Sequence, residues 1–474
     1  VRRNRRTAEP YSQLSTTGAS VSGCNIASAN TYHPITAAAA AHPARLIEFR
    51  LAPLLTYPLY SEYSETNWIS GIAPISTESH TMRQVAFHRP SIGPEEEREV
   101  LDTLRSGWIT TGPKAKRFER EFAGYVGAKH ALALAHCTGA LHLSLWALGI
   151  GAGDEVITTP FTFTATAEIL GYLGARPVFV DVDPGTFNIN PARIEEALES
   201  GANKRVRAIL PVHFAGQACD MDRILKIARQ YNLKVVEDAA HAAGSARHMD
   251  GRGMAKVGTI GDLTCFSFYA TKNFTTAEGG MITTADDAIA EKIAVASLHG
   301  MNKDAWKRYD KSGSWYYEIH DMGFKYNLSD VHAAIGLAQL KRADDFMRRR
   351  GEIARAYHEA FRADDALQTA YSEPGIEHAW HLYVLRIRPE RLKLGRNQFV
   401  EMLRERGVGC SVHCIPLHTM HYYQRNYGYR NGDFPVAENI FSRCLSLPIY
   451  AAMSDEDVNY VIETVLAIAR ENRR

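Results

Sequence analysis

Nowhere in the 474 residues does an apolar run approach the roughly 20 residues that a helix needs to cross a bilayer. An excess of charge is missing too: 54 lysines and arginines stand against 53 aspartates and glutamates, for a net charge of +1. That balance creates no field for holding nucleic acid or an anionic membrane surface. Cysteine is scarce. Seven of them, an odd number, are scattered along a long chain, which argues against a disulfide framework and for reduced thiols in the cytoplasm. What the chain does have is length enough for two domains with substantial cores. Its 45% hydrophobic and 23% charged residues are the ordinary balance of a soluble globular protein.

Residues 1–84 read differently from the rest. They open on VRRNRR, pass through the alanine run Ala37 to Ala41, are rich in Ser, Thr and Tyr, and hold no helical or strand period. The expectation is a disordered tail or a translated upstream region with the start at Met82; an Arg-rich targeting segment is a third reading. No uninterrupted apolar core follows the arginines, so a secretory signal is not expected. Residues before Met82 are expected to be dispensable.

From Val85 the punctuation becomes regular. Strands are expected at His130 to Ala135, Glu155 to Thr159, Pro177 to Val182, Arg207 to Val212 and Lys234 to Asp238. Helices are expected from Gly139, at Thr164 to Leu173, from Pro191 to Leu198 and from Met221 to Tyr231. Alternation at this spacing predicts an α/β fold with a mainly parallel central sheet and helices on both faces, over residues 85–339. Residues 340–474 begin with a long charged helix. With the strand Leu382 to Ile387 and the helix Arg396 to Arg406, they predict a smaller C-terminal α+β domain.

Parallel sheets bind ligands at the carboxyl ends of their strands, so the chemistry is sought there. Lys272 follows an apolar strand and precedes Gly279-Gly280. A lysine is ordinarily solvated; a desolvated one becomes a nucleophile able to form a Schiff base. Asp238 ends the strand VVED, where a carboxylate is either a helix cap or the partner of a protonated pyridine nitrogen that holds a ring as an electron sink. His241, three residues on, is either a packed histidine or a donor to that ring's phenolic oxygen. At Cys137-Thr138-Gly139 a strand turns into a helix, where small residues and a hydroxyl suit a phosphate. Ser267 offers a second hydroxyl. Phe163 is either core or a ring-stacking face. Each signal alone has a bland explanation. Their joint order at one sheet edge points to pyridoxal 5′-phosphate (PLP).

The segments SGWITTGPK (Ser106 to Lys114), EVITTPFTFTAT, PVFVDVDPGTF, VVEDAAHA, SFYATKNFTTAEGG, GFKYNLSDVHAAIGLAQL (Gly323 to Leu340) and HAWHLYVLRI (His378 to Ile387) closely resemble the DegT/StrS-type sugar aminotransferases of PLP fold type I, the aspartate aminotransferase-like fold. The resemblance runs from about Val85 to the C-terminus and is strongest to the UDP-4-amino-4-deoxy-L-arabinose–oxoglutarate aminotransferase group. It implies that Lys272 carries the cofactor, that Asp238 pairs with the pyridine nitrogen, and that His241 contacts the ring oxygen. Thr138, Gly139 and Ser267 match phosphate-binding positions, and Phe163 matches the stacking aromatic. Asn327 matches a residue that reaches the phosphate of a neighbouring subunit, which implies a homodimer with shared sites. Lys325, His299, His332, His413 and His418 fall in motifs near the sugar-nucleotide site. Relatives with histidine in place of the lysine dehydrate sugars; the lysine here favours transamination, with glutamate and 2-oxoglutarate as donor and product.

Other readings compete. Another PLP reaction, such as sugar dehydration or desulfuration, is the nearest, and a regulatory relative without catalysis is the different-class rival. Cys410, His413, Cys414 and His418 could suggest zinc, but they share one loop-like stretch without a second ligand arm. The sequence GIGAGDE (Gly149 to Glu155) mimics a dinucleotide loop, yet it follows a helix and precedes a strand, the reverse of what a phosphate turn needs.

Overall fold

A computed structural model describes residues 83–301 and 316–474; the expectations for residues 1–82 lie outside the described residues. After helices α1 (Pro94–Ser106) and α2 (Pro113–Val126), strands β1 (His130–Leu134), β2 (Glu155–Thr158), β3 (Arg176–Phe179), β4 (Val206–Ile209) and β5 (Lys234–Asp238) alternate with helices. A hairpin, β6 (Ala246–Met249) and β7 (Gly253–Lys256), then leaves the main sheet, and β8 (Leu263–Ser267) and β9 (Gly280–Thr284) return to it. The main sheet has the order β1-β9-β8-β5-β4-β2-β3. All its neighbours pair in parallel except those of β9, which runs antiparallel to both β8 and β1.

Burial on both faces explains the composition of the central strands. Every residue of β8 (LTCFS) and β9 (GMITT) is buried, so neither shows the polar alternation of a one-sided sheet. On one face lies a core shared by the sheet and the helices α3 (Cys137–Ala147) and α4 (Ala165–Tyr172), with Leu141, Leu145, Ile169, Val236 and Ile282 among its members. Helix Pro191–Glu199 and helix Met221–Tyr231 contribute Ile194, Ile224 and Ile227 to another core, against Ile157, Ile209 and Val235. Pro191 occupies the first turn behind the Asn190 cap, as its fixed φ suits.

The segment after helix Asp330–Lys341 has its own core. Helix Ala343–Phe361, helix Arg396–Glu405 and helix Asp455–Glu471 pack with the antiparallel trio β10 (Leu367–Gln368), β12 (Tyr383–Ile387) and β13 (Cys444–Leu447). The short β11 (Ile376–Glu377) instead pairs with β6. Val85 joins this C-terminal core and bridges to Val408, so the first described residues pack with the last third of the chain. Arg350 is buried in it and makes no ion pair among the described residues. Its Nη1 donates to the carbonyls of Trp380, His381 and Ile449. No described helix is long and apolar enough to cross a membrane.

One close approach fixes the end of the sheet where ligands would bind. The register aligns Leu134, Gly280 and Ser267 across β1, β9 and β8. A Cβ on Gly280 would sit 2.6–2.7 Å from the backbone of His136 and Cys137. The start of β9 therefore abuts the start of α3 with no room for a side chain. Gly280→Ala is expected to destabilise the fold by about 1–3 kcal/mol through overpacking against immobile backbone. Urea unfolding of the variant and parent would read this as a lower midpoint at unchanged slope.

Candidate active site

At that edge the strand ends surround a cavity of about 490 Å³. The turn after β1 and the start of α3 contribute His136, Cys137 and Thr138; the segment after β2 and the start of α4 contribute Thr162, Phe163 and Thr166; β5 and its turn contribute Asp238 and His241; and the end of β8 with the segment after it contributes Ser267, Tyr269 and Lys272. His381 and His413 close it from the C-terminal part of the chain, and Phe87 and His88 from the first described residues.

Asp238 is buried, with Oδ2 accepting from the Thr166 hydroxyl at 2.8 Å and Oδ1 accepting from the Ala240 amide at 3.1 Å. Burial raises its pKa, opposed by those two hydrogen bonds and by the Lys272 charge. Lys272 is half-buried, and its side chain makes no hydrogen bond or ion pair among the described residues. Burial lowers the pKa of its amine, against the pull of Cys137, Asp238 and Cys414. The shift is toward the unprotonated amine, the form that attacks as a nucleophile. His241 accepts the Ala215 amide on Nδ1 at 3.3 Å, which leaves its proton on Nε2. Burial, followed by Lys272 and His413, holds it well below the usual imidazole range, so Nε2 is a neutral donor. Its ring lies 4.3 Å from that of His381, whose Nδ1 meets the Asn273 side-chain oxygen at 3.1 Å.

The cavity thus gathers Thr138, Phe163, Asp238, His241, Ser267, Lys272 and His413 from the sequence-derived set. Phe163 is 70% exposed and so presents its ring instead of packing it. The remaining residues of the set lie elsewhere. The Gly139 amide, expected to meet a phosphate, donates at 2.8 Å to Nδ1 of His136, the residue that caps α3. Asn327 bridges to Leu134 at the outer edge of β1, donates to the Thr111 hydroxyl and accepts from the exposed Lys325 amine. His299 is exposed, at φ 60°, with its amide on the Phe324 carbonyl. His332 contacts the Ser329 hydroxyl at the start of its helix. His418 is fully buried and bonded to Glu438 at 2.8 Å, away from the cavity wall. Among the described residues no three His, Cys, Asp or Glu side chains converge to hold a metal.

Two features escaped the sequence reading. His136, Thr162, Thr166 and His381 line the cavity, but no spacing signalled them. Directly beside Asp238, Glu237 is fully buried and accepts from His213 Nε2 at 2.8 Å, the Gly261 amide at 2.7 Å and the Thr264 hydroxyl at 2.7 Å. The alternation along VVED could have shown that Glu237 and Asp238 face opposite sides of the sheet.

The residues present fit PLP. A buried carboxylate with free lone pairs, a lysine without a partner, one hydroxyl at a helix start and one at a strand end, and an open aromatic face are the donor set that this cofactor requires. Residues 90–466 match the DegT/DnrJ/EryC1/StrS aminotransferase family, and the chain belongs to that family. It is accordingly a PLP-dependent sugar aminotransferase. Among its relatives is the spore coat polysaccharide biosynthesis protein SpsC of Bacillus subtilis, 50% identical over 81% of this chain and 97% of that protein. Among solved structures, Spr1654 of Streptococcus pneumoniae in its PMP form superposes with a TM-score of 0.75 at 35% identity, covering 82% of this chain and 100% of that one. Helicobacter pylori PseC, an aminotransferase involved in the biosynthesis of pseudoaminic acid, gives 0.74 at 29% identity over 82% and 100%.

His213→Leu would leave the buried Glu237 carboxylate one donor short. A loss of about 3 kcal/mol is expected, as for an unsatisfied buried charge. Chemical denaturation at neutral pH measures it.

Proposed function

We propose that the protein moves an amino group from glutamate to a nucleotide-linked keto-sugar, with a 4-keto-sugar favoured by the arabinose-type sequence resemblance and a 3-keto-sugar as the alternative. The observation that carries this reading is a lysine amine and a buried carboxylate lining one cavity with the hydroxyls of Thr138 and Ser267. SpsC and PseC, whose names place them in polysaccharide and pseudoaminic acid biosynthesis, support a sugar substrate destined for such a product. The absence of a membrane-spanning helix among the described residues and the six unpaired described cysteines support a cytoplasmic enzyme.

In this reading Thr138 and Ser267 bind the cofactor phosphate, Phe163 stacks on the ring, and Lys272 anchors it. PLP supplies an electron sink for the electron pair released at the substrate carbon. Asp238 holds the proton on the pyridine nitrogen, and Nε2 of His241 donates to the ring's phenolic oxygen. With the cofactor bound, the Lys272 amine would serve as general base and then acid, taking up and giving back the proton of the substrate carbon that bears nitrogen. The second half-reaction reverses these transfers on the keto-sugar, which gives ping-pong kinetics.

The proposal includes a homodimer with shared sites. Asn327 and Lys325 lie outside the cavity of their own chain, the position that a contact across subunits demands. Assays with glutamate and a panel of nucleotide keto-sugars should give amino-sugar with the parent and none with Lys272→Ala, whose visible cofactor absorbance should also vanish. Persistence of both would refute the assignment. Mixing Lys272→Ala with Asn327→Ala subunits should restore up to about a quarter of the activity if random pairing leaves one intact site in each hybrid dimer. Hybrids that form without any recovery would count against Asn327 acting across the interface.

A further inference from the structure

Asp238 is held from two directions, and one of them continues. The Thr166 hydroxyl has a single hydrogen, which goes to Asp238 Oδ2 at 2.8 Å. Thr166 Oγ1 also lies 2.7 Å from Thr162 Oγ1, so Thr162 is the donor in that contact. The result is a directed chain, Thr162 to Thr166 to the carboxylate. All three residues are buried, at 3%, 1% and 5% exposure, and all three line the cavity. A threonine at this depth with a single role in packing would carry an unused hydroxyl, which burial penalises.

We infer that Thr166 is a positioning residue for the cofactor, with Thr162 as its support: it orients the Asp238 carboxylate and favours its ionised form, ready for a protonated pyridine nitrogen. The sequence placement suits the task. Thr166 follows Phe163 by three residues, and its amide donates to the Phe163 carbonyl. One turn at the start of α4 therefore supplies both the exposed ring and the hydroxyl that orients the carboxylate. Charge-assisted hydrogen bonds are about twice as strong as neutral ones, so Thr166 has leverage that the neutral Thr162 contact lacks.

This inference rests on the proposed function, but its test separates the two. In cofactor-free protein, the Asp238 carboxyl carbon would be titrated by ¹³C NMR in parent, Thr166→Val, Thr166→Ser and Thr162→Val, and PLP affinity measured by equilibrium dialysis. Thr166→Val should shift the Asp238 titration upward and weaken PLP binding about tenfold, the equivalent of one hydrogen bond to a charged group. Thr166→Ser should restore both, and Thr162→Val should move both in the same direction by less. If Thr166→Val fails to fold, Thr162→Val carries the test. An unmoved Asp238 titration and unchanged PLP affinity in the folded valine variants would overturn the inference. A parent that binds no PLP would instead overturn the functional reading.

Discussion

The site depends on a constraint of backbone against backbone. Six strands point one way and deliver their carboxyl ends to one edge, while β9 comes back and begins there. Gly280 lets that beginning touch the first residues of α3, so the Thr138 turn and the Ser267 end of β8 stay in register. Given that alignment, the reactive residues meet at strand ends and the turns next to them. Asp238 stands at the end of β5, Lys272 five residues after the end of β8, and Thr138 at the second position of α3.

The electrostatics follow from the same placement. Burial pushes Lys272 towards its neutral form, and burial likewise pushes Asp238 towards its own. Thr166 and the Ala240 amide oppose the second of these, whereas the Lys272 side chain receives no hydrogen bond among the described residues. The two groups are thereby treated differently: the carboxylate is supported as an anion, and the half-buried amine is left without a hydrogen-bonding partner. Beneath them Glu237, satisfied by His213, Gly261 and Thr264, anchors the neighbouring position of the same strand from the opposite face.

Much of this was legible in the sequence because it lies in local periods. The apolar strands ending in Asp238 and preceding Lys272, with helices alternating at regular spacing, identified the mainly parallel sheet and its ligand edge. The observed elements differ from the expected ones chiefly at their ends: β3 runs Arg176–Phe179 where Pro177 to Val182 was expected, and β4 runs Val206–Ile209 where Arg207 to Val212 was expected. What could not be read comes from contacts distant in sequence. His381 reaches the cavity wall from 109 positions beyond Lys272 (381 − 272), and nothing in its neighbourhood marks that destination. His418, in a histidine-rich stretch beside His413, looks equivalent to it until Glu438 is seen to hold it inside. Gly139 was read as a phosphate-binding position from the family match; the contact its amide makes here, to the histidine three residues earlier, had no mark in the sequence.

Arg350 ties these parts together in a way that bears on motion. One guanidinium nitrogen grips the carbonyls of Trp380, His381 and Ile449, and His381 and Ile449 both line the cavity. The Asn273 side chain meets the same wall from the other side, at His381 Nδ1 and the Ala379 carbonyl. The wall is therefore moored both to the long helix and to the residue next to Lys272, so a shift of either would be felt at the other.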